Sequence, residues 1–244
     1  DVAPIDGRLW TKERMPTVSA TFVDGGINFT QYYAETPLCC PARVGVLTGQ
    51  HTHNHGVLSN TGYVNEFDDS ESLATELREA GYFNIIVGKY LNQAQQLNDP
   101  TLSAFRKQAI FFMPNGAYYK TILQTKDGIE VYGDSPSDYS TDVIAGKAVD
   151  YLSEAPLDKP IFALITPFAS HSTPESNLPI PAPRHIDDPA CQDIEPWKAP
   201  GEGNQPFDLV KVCESLLAVD DLVKGVKDEL ERQGRLGNTI FIFT

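Results

Sequence analysis

The run Pro37-Leu38-Cys39-Cys40-Pro41-Ala42-Arg43-Val44-Gly45-Val46-Leu47-Thr48-Gly49 sets a thiol just before a segment that reads as a helix. Pro41 stands near its first position and Gly49 follows its end, the usual places for these residues. A nucleophile at that point faces the positive end of the helix, where free backbone N–H groups and the helix dipole favour an anion. Arg43 adds a guanidinium whose forked donors suit the oxygens of a tetrahedral anion. The chemistry implied is attack on a sulfate or phosphate ester.

Two further residues stand at places where they can join that chemistry. Lys89 follows the apolar run Phe83-Asn84-Ile85-Ile86-Val87 and Gly88, so a cationic stem sits at the end of a predicted strand. His171 follows a second apolar run, Ile161 to Thr166, within Pro167-Phe168-Ala169-Ser170-His171. An imidazole titrates near neutrality and can protonate a leaving alcohol as a general acid. The cluster His51-Thr52-His53-Asn54-His55-Gly56 is a poor zinc site, because only an extended strand would align all three rings and no fourth ligand lies nearby. Asp220 and Asp221 fall within a helical stretch, where neighbours diverge around the axis and cannot chelate one ion. They are expected to be solvated or capping carboxylates in a helix that packs against the sheet.

These groups need a scaffold, and the periodicity supplies one. Leu73 to Ala80 reads as a helix closed by Gly81, and the run from Phe83 to Val87 reads as a buried strand. Helical spacing recurs over Val143 to Leu152 and Leu209 to Leu230, before apolar strands expected over Ile161 to Thr166 and Thr239 to Phe243. Helices alternating with continuous apolar strands predict an α/β fold, a mostly parallel sheet with helices on both faces. Catalytic groups then belong at the C-terminal strand ends. Residues 174–206, rich in Pro, Asp and Glu and without periodicity, are expected to form a long loop or lid inside a single domain spanning 1–244.

The 244 residues are 41% hydrophobic and 21% charged, enough to bury a sizeable core. A formal charge of −14, with no run of Lys and Arg, argues against nucleic acid. No stretch approaches the roughly 18 to 20 apolar residues of a membrane span. Cys39, Cys40, Cys191 and Cys213 leave several pairings open, with Cys191–Cys213 the one expected. Asn28-Phe29-Thr30 is an N-glycosylation sequon, and with a disulfide it points to a secreted or lysosomal protein.

Cys39-Cys40-Pro41-Ala42-Arg43, followed by Leu47-Thr48-Gly49, resembles the signature of formylglycine-dependent sulfatases. Gly81-Tyr82, Val87-Gly88-Lys89-Tyr90 and the segment around His171 are similar to other motifs of that family. The closest likeness is to its arylsulfatase and N-acetylglucosamine-6-sulfatase branch. The resemblance implies an alkaline phosphatase-like core and hydrolysis of an aryl sulfate or a sugar 6-sulfate. Cys39, not Cys40, is then the residue that a formylglycine-generating enzyme oxidises to the catalytic aldehyde. One hydroxyl of the hydrated aldehyde attacks sulfur and expels the alcohol. The other then loses its proton, and the intermediate collapses to aldehyde and free sulfate. Arg43, Lys89 and His171 take catalytic roles, and at least one of His53 and His55 is expected to reach substrate. Many members carry a histidine where this chain has Leu91, with Asn92 as its possible replacement.

The same resemblance implies a calcium ion, a cation that takes about six to eight oxygen ligands. Formylglycine at position 39 is one ligand. The family draws the others from an Asp-Asp pair and an Asp-Asn pair, both expected outside the chain, which begins after the first and stops at Thr244 where the second would start. Asp1 is not expected to be a ligand. Phosphonate or phosphate monoester hydrolysis is the rival reading, and a non-catalytic anion-binding remnant is the reading from another class.

Overall fold

The computed structural model describes residues 9, 11–29, 31–62, 66–94, 97, 102–112, 117–173, 177–194 and 208–244. Its helices are α1 (Pro16–Val18, continuing into a π-helical turn over Ser19–Asp24), α2 (Cys39–Thr48), α3 (Thr52–His55), α4 (Leu73–Glu79), α5 (Ser140–Ser153) and α6 (Leu209–Arg232). The strands are β1 (Phe83–Gly88), β2 (Lys107–Phe111), β3 (Ile122–Thr125), β4 (Ile129–Val131) and β5 (Ile161–Thr166). They form one sheet in the order β4-β3-β2-β1-β5.

β1 is parallel to both β2 and β5, and its residues from Asn84 onward are buried, as expected for a central strand covered on both faces. β3 and β4 complete the sheet as an antiparallel hairpin at the β2 edge, turning through Gly128 at φ +137°. Alternate residues of the parallel strands enter different cores. Ile85, Val87, Ala109 and Phe111 pack with residues of α5 and α6, whereas Ile86 and Ile110 pack with Val44, Leu47 and Ala74 of α2 and α4. The predicted α/β architecture with helices on both faces is the observed one. The hairpin makes the sheet mixed.

α4 shows how local sequence fixes a boundary. The Ser72 side chain accepts from the Thr75 N–H at its start, and Gly81 follows its end at φ +92°. α6 lies chiefly along α5 and shares one apolar cluster with Ile85, Val87, Ala109 and Phe111 of the sheet, in keeping with a helix that packs against it. Its apolar stripe is long enough to cover α5, which itself covers β1 and β2.

The strand expected over Thr239–Phe243 is corrected. Among the described residues this segment has no ladder partner, although its alternation is that of a strand. Phe241 and Phe243 turn inward onto Phe22, with ring centroids 6.3 Å and 5.3 Å away, while Ile240 and Ile242 are 90% and 83% exposed. Periodicity selects a face, but a strand forms only where a neighbour takes its backbone groups.

Residues 177–194, the described part of the expected lid, are fastened down. Cys191 forms a disulfide with Cys213 of α6. The Tyr139 hydroxyl donates to the Ile180 carbonyl at 2.8 Å, and Arg184 reaches Asp142 of α5 and Asp221 of α6. Residues 174–176 and 195–206 of that loop, like Asp1, lie outside the described residues.

Candidate active site

α2 begins at Cys39, with Leu38 extended before it and the Ala42 N–H closing the first turn onto the Leu38 carbonyl at 3.0 Å. The Cys40 N–H donates to Asn60 Oδ1 at 2.9 Å, a cap supplied by a distant side chain. Gly49 ends the helix at φ +67°, its N–H returning to the Gly45 carbonyl at 2.8 Å. The two adjacent thiols therefore face different surroundings. Cys39 is half-exposed at the helix head, whereas Cys40 is 1% exposed and joins the apolar cluster beneath α2.

Lys89 and His171 reach Cys39 from neighbouring parallel strands. β1 and β5 pair Gly88 with Thr166, so both chains leave the sheet at the same level. The Lys89 N–H donates to the Thr166 carbonyl at 2.8 Å. The Lys89 carbonyl accepts from the Thr166 hydroxyl at 2.5 Å and from Arg43 Nη1 at 2.9 Å. Gly88 is obligatory here. Its φ is +108°, and a Cβ would stand 2.1 Å from the Thr166 carbonyl oxygen. Lys89 is 5% exposed, so its ammonium is held close to the site and not in bulk water.

The His171 ring lies over Phe168, centroids 5.0 Å apart and planes 21° from parallel. Its Nδ1 is 2.7 Å from the Ser172 carbonyl oxygen, which can only accept, so Nδ1 carries the hydrogen. That leaves Nε2 for the Cys39 sulfur. The hydrogen bond from His171 is the largest influence on this thiol, ahead of the desolvation that opposes it, and Lys89 and Arg43 add to it. Together they bring the Cys39 thiol down to about 6. Burial pushes Cys40 the other way, although its sulfur accepts from the Asn92 N–H at 3.2 Å. A thiolate at position 39 is thus stabilised by an imidazole, an ammonium, a guanidinium and a helix N-terminus, the surroundings that make a cysteine reactive.

The other sequence candidates lie in different places. His53 is exposed and stacks on His51, centroids 5.6 Å apart, and His51 pairs with Glu35 at 3.0 Å. His55 is buried, and its Nδ1 accepts from the Val57 N–H at 3.2 Å. Asn92 is buried beside Cys40 through its backbone, and Leu91 packs in the apolar cluster. Asn28 is exposed, as an acceptor of a glycan must be. Asp220 caps α1, accepting from Thr17 N at 3.1 Å and Val18 N at 2.7 Å, so the capping reading applies. Asp221 pairs with Arg184 at 2.7 Å and His185 at 2.8 Å. Sequence reasoning did not single out Thr166 or Asn60. Thr166 had one signal, a hydroxyl on the last strand residue before the His171 turn.

The donors around Cys39 are nitrogen cations, and a hard cation needs oxygens. Among the described residues no three His, Cys, Asp or Glu side chains converge as a metal-binding group. The described residues therefore do not compose the calcium site that the resemblance implies. No described helix is long and apolar enough to cross a membrane.

Comparison with known proteins gives this arrangement its context. The sulfatase family profile matches residues 10–244. Human N-acetylglucosamine-6-sulfatase is 30% identical over 250 residues, which cover 90% of this chain and 45% of that protein. An extracellular sulfatase SULF-1 homolog of Drosophila melanogaster is 29% identical over 264 residues, 98% of this chain and 23% of that one. An arylsulfatase of Chlamydomonas reinhardtii is 26% identical, with 94% and 42% covered. The chain spans less than half the length of these relatives. A solved structure described as a complex with its substrate D-glucosamine-2-N,6-O-disulfate shares the fold, with a TM-score of 0.73 at 20% identity over 92% of this chain and 58% of that one. A profile that runs from residue 10 to the last residue, on a fold shared over nearly the whole chain, places this protein in the sulfatase family.

Proposed function

We propose that the protein to which this chain belongs hydrolyses a sulfate ester of a saccharide or an aryl alcohol, using a formylglycine made from Cys39. The observation that carries this reading is the convergence of His171, Lys89 and Arg43 on a residue at the head of α2. In the matured protein the hydrated aldehyde stands where the Cys39 sulfur is now. One hydroxyl attacks sulfur while Lys89 and the α2 N-terminus stabilise the sulfate oxygens. His171 Nε2 gives a proton to the leaving alcohol, its Nδ1 held by the Ser172 carbonyl. Deprotonation of the second hydroxyl then breaks the C–O bond to sulfate and restores the aldehyde. Arg43 braces the peptide of Lys89 with one nitrogen and adds charge beside position 39.

A sugar sulfate is favoured because the similar proteins named above include one that acts on N-acetylglucosamine 6-sulfate by its name, and one solved with a glucosamine disulfate. Substrate contact by exposed His53, and a supporting part for His55 and Asn92, belong to this reading. So do calcium, whose oxygen ligands are not among the described residues, and maturation by a formylglycine-generating enzyme. A secreted or lysosomal location is supported by the disulfide, by the sequon at exposed Asn28 and by a relative named as extracellular.

One peptide tests the reading. Trypsin releases Met15–Arg43, which carries both Asn28 and Cys39. From a host that contains the formylglycine-generating enzyme, deglycosylated peptide is expected about 18 Da below the cysteine form. An unmodified Cys39 in that host would remove the proposal and leave an anion-binding remnant. Modification with turnover of phosphate monoesters but not sulfates would select the rival chemistry.

A further inference from the structure

Behind His171 stands a column of aromatic rings that the proposed chemistry does not use. Tyr118, 2% exposed, donates its hydroxyl to the His171 carbonyl at 2.7 Å. Its ring meets Phe168 edge-on at 5.0 Å, and Phe168 in turn lies flat under the imidazole at 5.0 Å. On its other side Tyr118 stacks on Tyr139 at 5.7 Å, and its carbonyl accepts from Ser140 N at 2.8 Å, at the start of α5. The His171 N–H also returns to the Phe168 carbonyl at 2.9 Å, so the turn from Phe168 to His171 is held at both ends. A buried phenol beside an active-site turn needs no hydroxyl for packing alone. Here the hydroxyl donates to the backbone of the residue whose ring must be aimed.

We propose that Tyr118, acting with Phe168, is a positioning residue that sets the angle at which the His171 imidazole meets position 39. The hydroxyl fixes the His171 carbonyl, and the two rings fix the plane in which the imidazole lies. Loss of either lets Nε2 swing away from Cys39, because the Ser172 contact constrains only Nδ1. The inference rests on the proposed pairing of His171 with position 39, and its test separates the two.

The test uses the unconverted chain and the rate of Cys39 alkylation by iodoacetamide at a pH of about 6, where the thiolate fraction outweighs intrinsic nucleophilicity. Cys40 is buried and Cys191 and Cys213 are joined, so the label reports position 39. His171→Ala sets the scale for a fully lost contact. Tyr118→Phe and Phe168→Leu are each expected to slow alkylation at least halfway to the His171→Ala rate. Tyr139→Phe, which removes the hydroxyl bond to the Ile180 carbonyl in the same column, is expected to keep the wild-type rate. Wild-type rates in both Tyr118→Phe and Phe168→Leu, or equal slowing in Tyr139→Phe, would overturn the proposal while leaving the Cys39–His171 contact intact. Equal rates in wild type and His171→Ala would instead remove the contact itself and the positioning role with it. If Tyr118→Phe does not fold, Phe168→Leu decides alone.

Discussion

The thiol of Cys39 gives up its proton to surroundings that exist only in the folded chain, since His171 and Lys89 arrive from strand ends far along the sequence. Its folded-state pKa of about 6 lies below its value in the unfolded chain. For such a group the folded state binds fewer protons across the interval, so the stabilisation is fully present above the unfolded value and is lost as pH falls to about 6. Cys39→Ser abolishes the ionisation without a large change of size. The difference in urea midpoint between wild type and Cys39→Ser is therefore expected to grow in favour of wild type as pH rises from about 6 to about 9. A difference that stays constant over that range would mean that the thiolate is not held by its neighbours. At this scale the sequence was informative where a residue type and its position agreed. Cys39, Arg43, Lys89 and His171 were each legible and meet in the fold. Tyr118 was not, and Thr166 offered only a hydroxyl at a strand end, because what a hydroxyl does is fixed only once its partner carbonyl is in place.

Among the elements, the pattern held where one segment decides its own state and failed where a partner decides. α2 and α4 carry their own boundary residues, Pro41 and Gly49 in one, Ser72 and Gly81 in the other, and both formed close to expectation. Short β2, β3 and β4 were not read from the sequence, and each takes its place on its neighbour, β2 on β1, β3 on β2 and β4 on β3. Thr239–Phe243 shows the converse, a strand pattern with no ladder among the described residues. The His51–Gly56 cluster divides similarly. α3 is a single turn that turns His53 outward and His55 inward, which spacing alone could not tell. α6 then acts as a clamp, holding α1 through Asp220 and the 177–194 segment through Cys213 and Asp221. Asp220→Ala deprives the Thr17 and Val18 N–H groups of their acceptor at a site where Asp220 is only 6% exposed. The cost expected is about 1 to 3 kcal/mol in urea unfolding. Asp221→Ala, which removes a half-exposed partner of Arg184, is expected to cost less than about 1 kcal/mol. A larger loss from Asp221 than from Asp220 would overturn this ranking.

For the whole molecule, two fields of opposite sign act on an anionic ligand. The formal charge of −14 repels it at a distance, whereas Arg43, Lys89 and the head of α2 attract it at contact. Their ranges differ. At about 10 mM salt the screening length is about 30 Å and the repulsion of the entire acidic surface reaches the pocket, whereas at about 0.15 M it is about 8 Å and only the nearest charges count. Iodoacetate and iodoacetamide attack the same Cys39 sulfur but differ by one negative charge, so their rate ratio isolates the field from the reactivity of the thiolate. The ratio of iodoacetate to iodoacetamide rates is expected to rise as salt increases from about 10 mM to about 150 mM, because screening removes the distant repulsion first. A ratio that falls over this range would show that the local cations dominate at every distance, and that the acidic surface plays no part in which anions reach the head of α2.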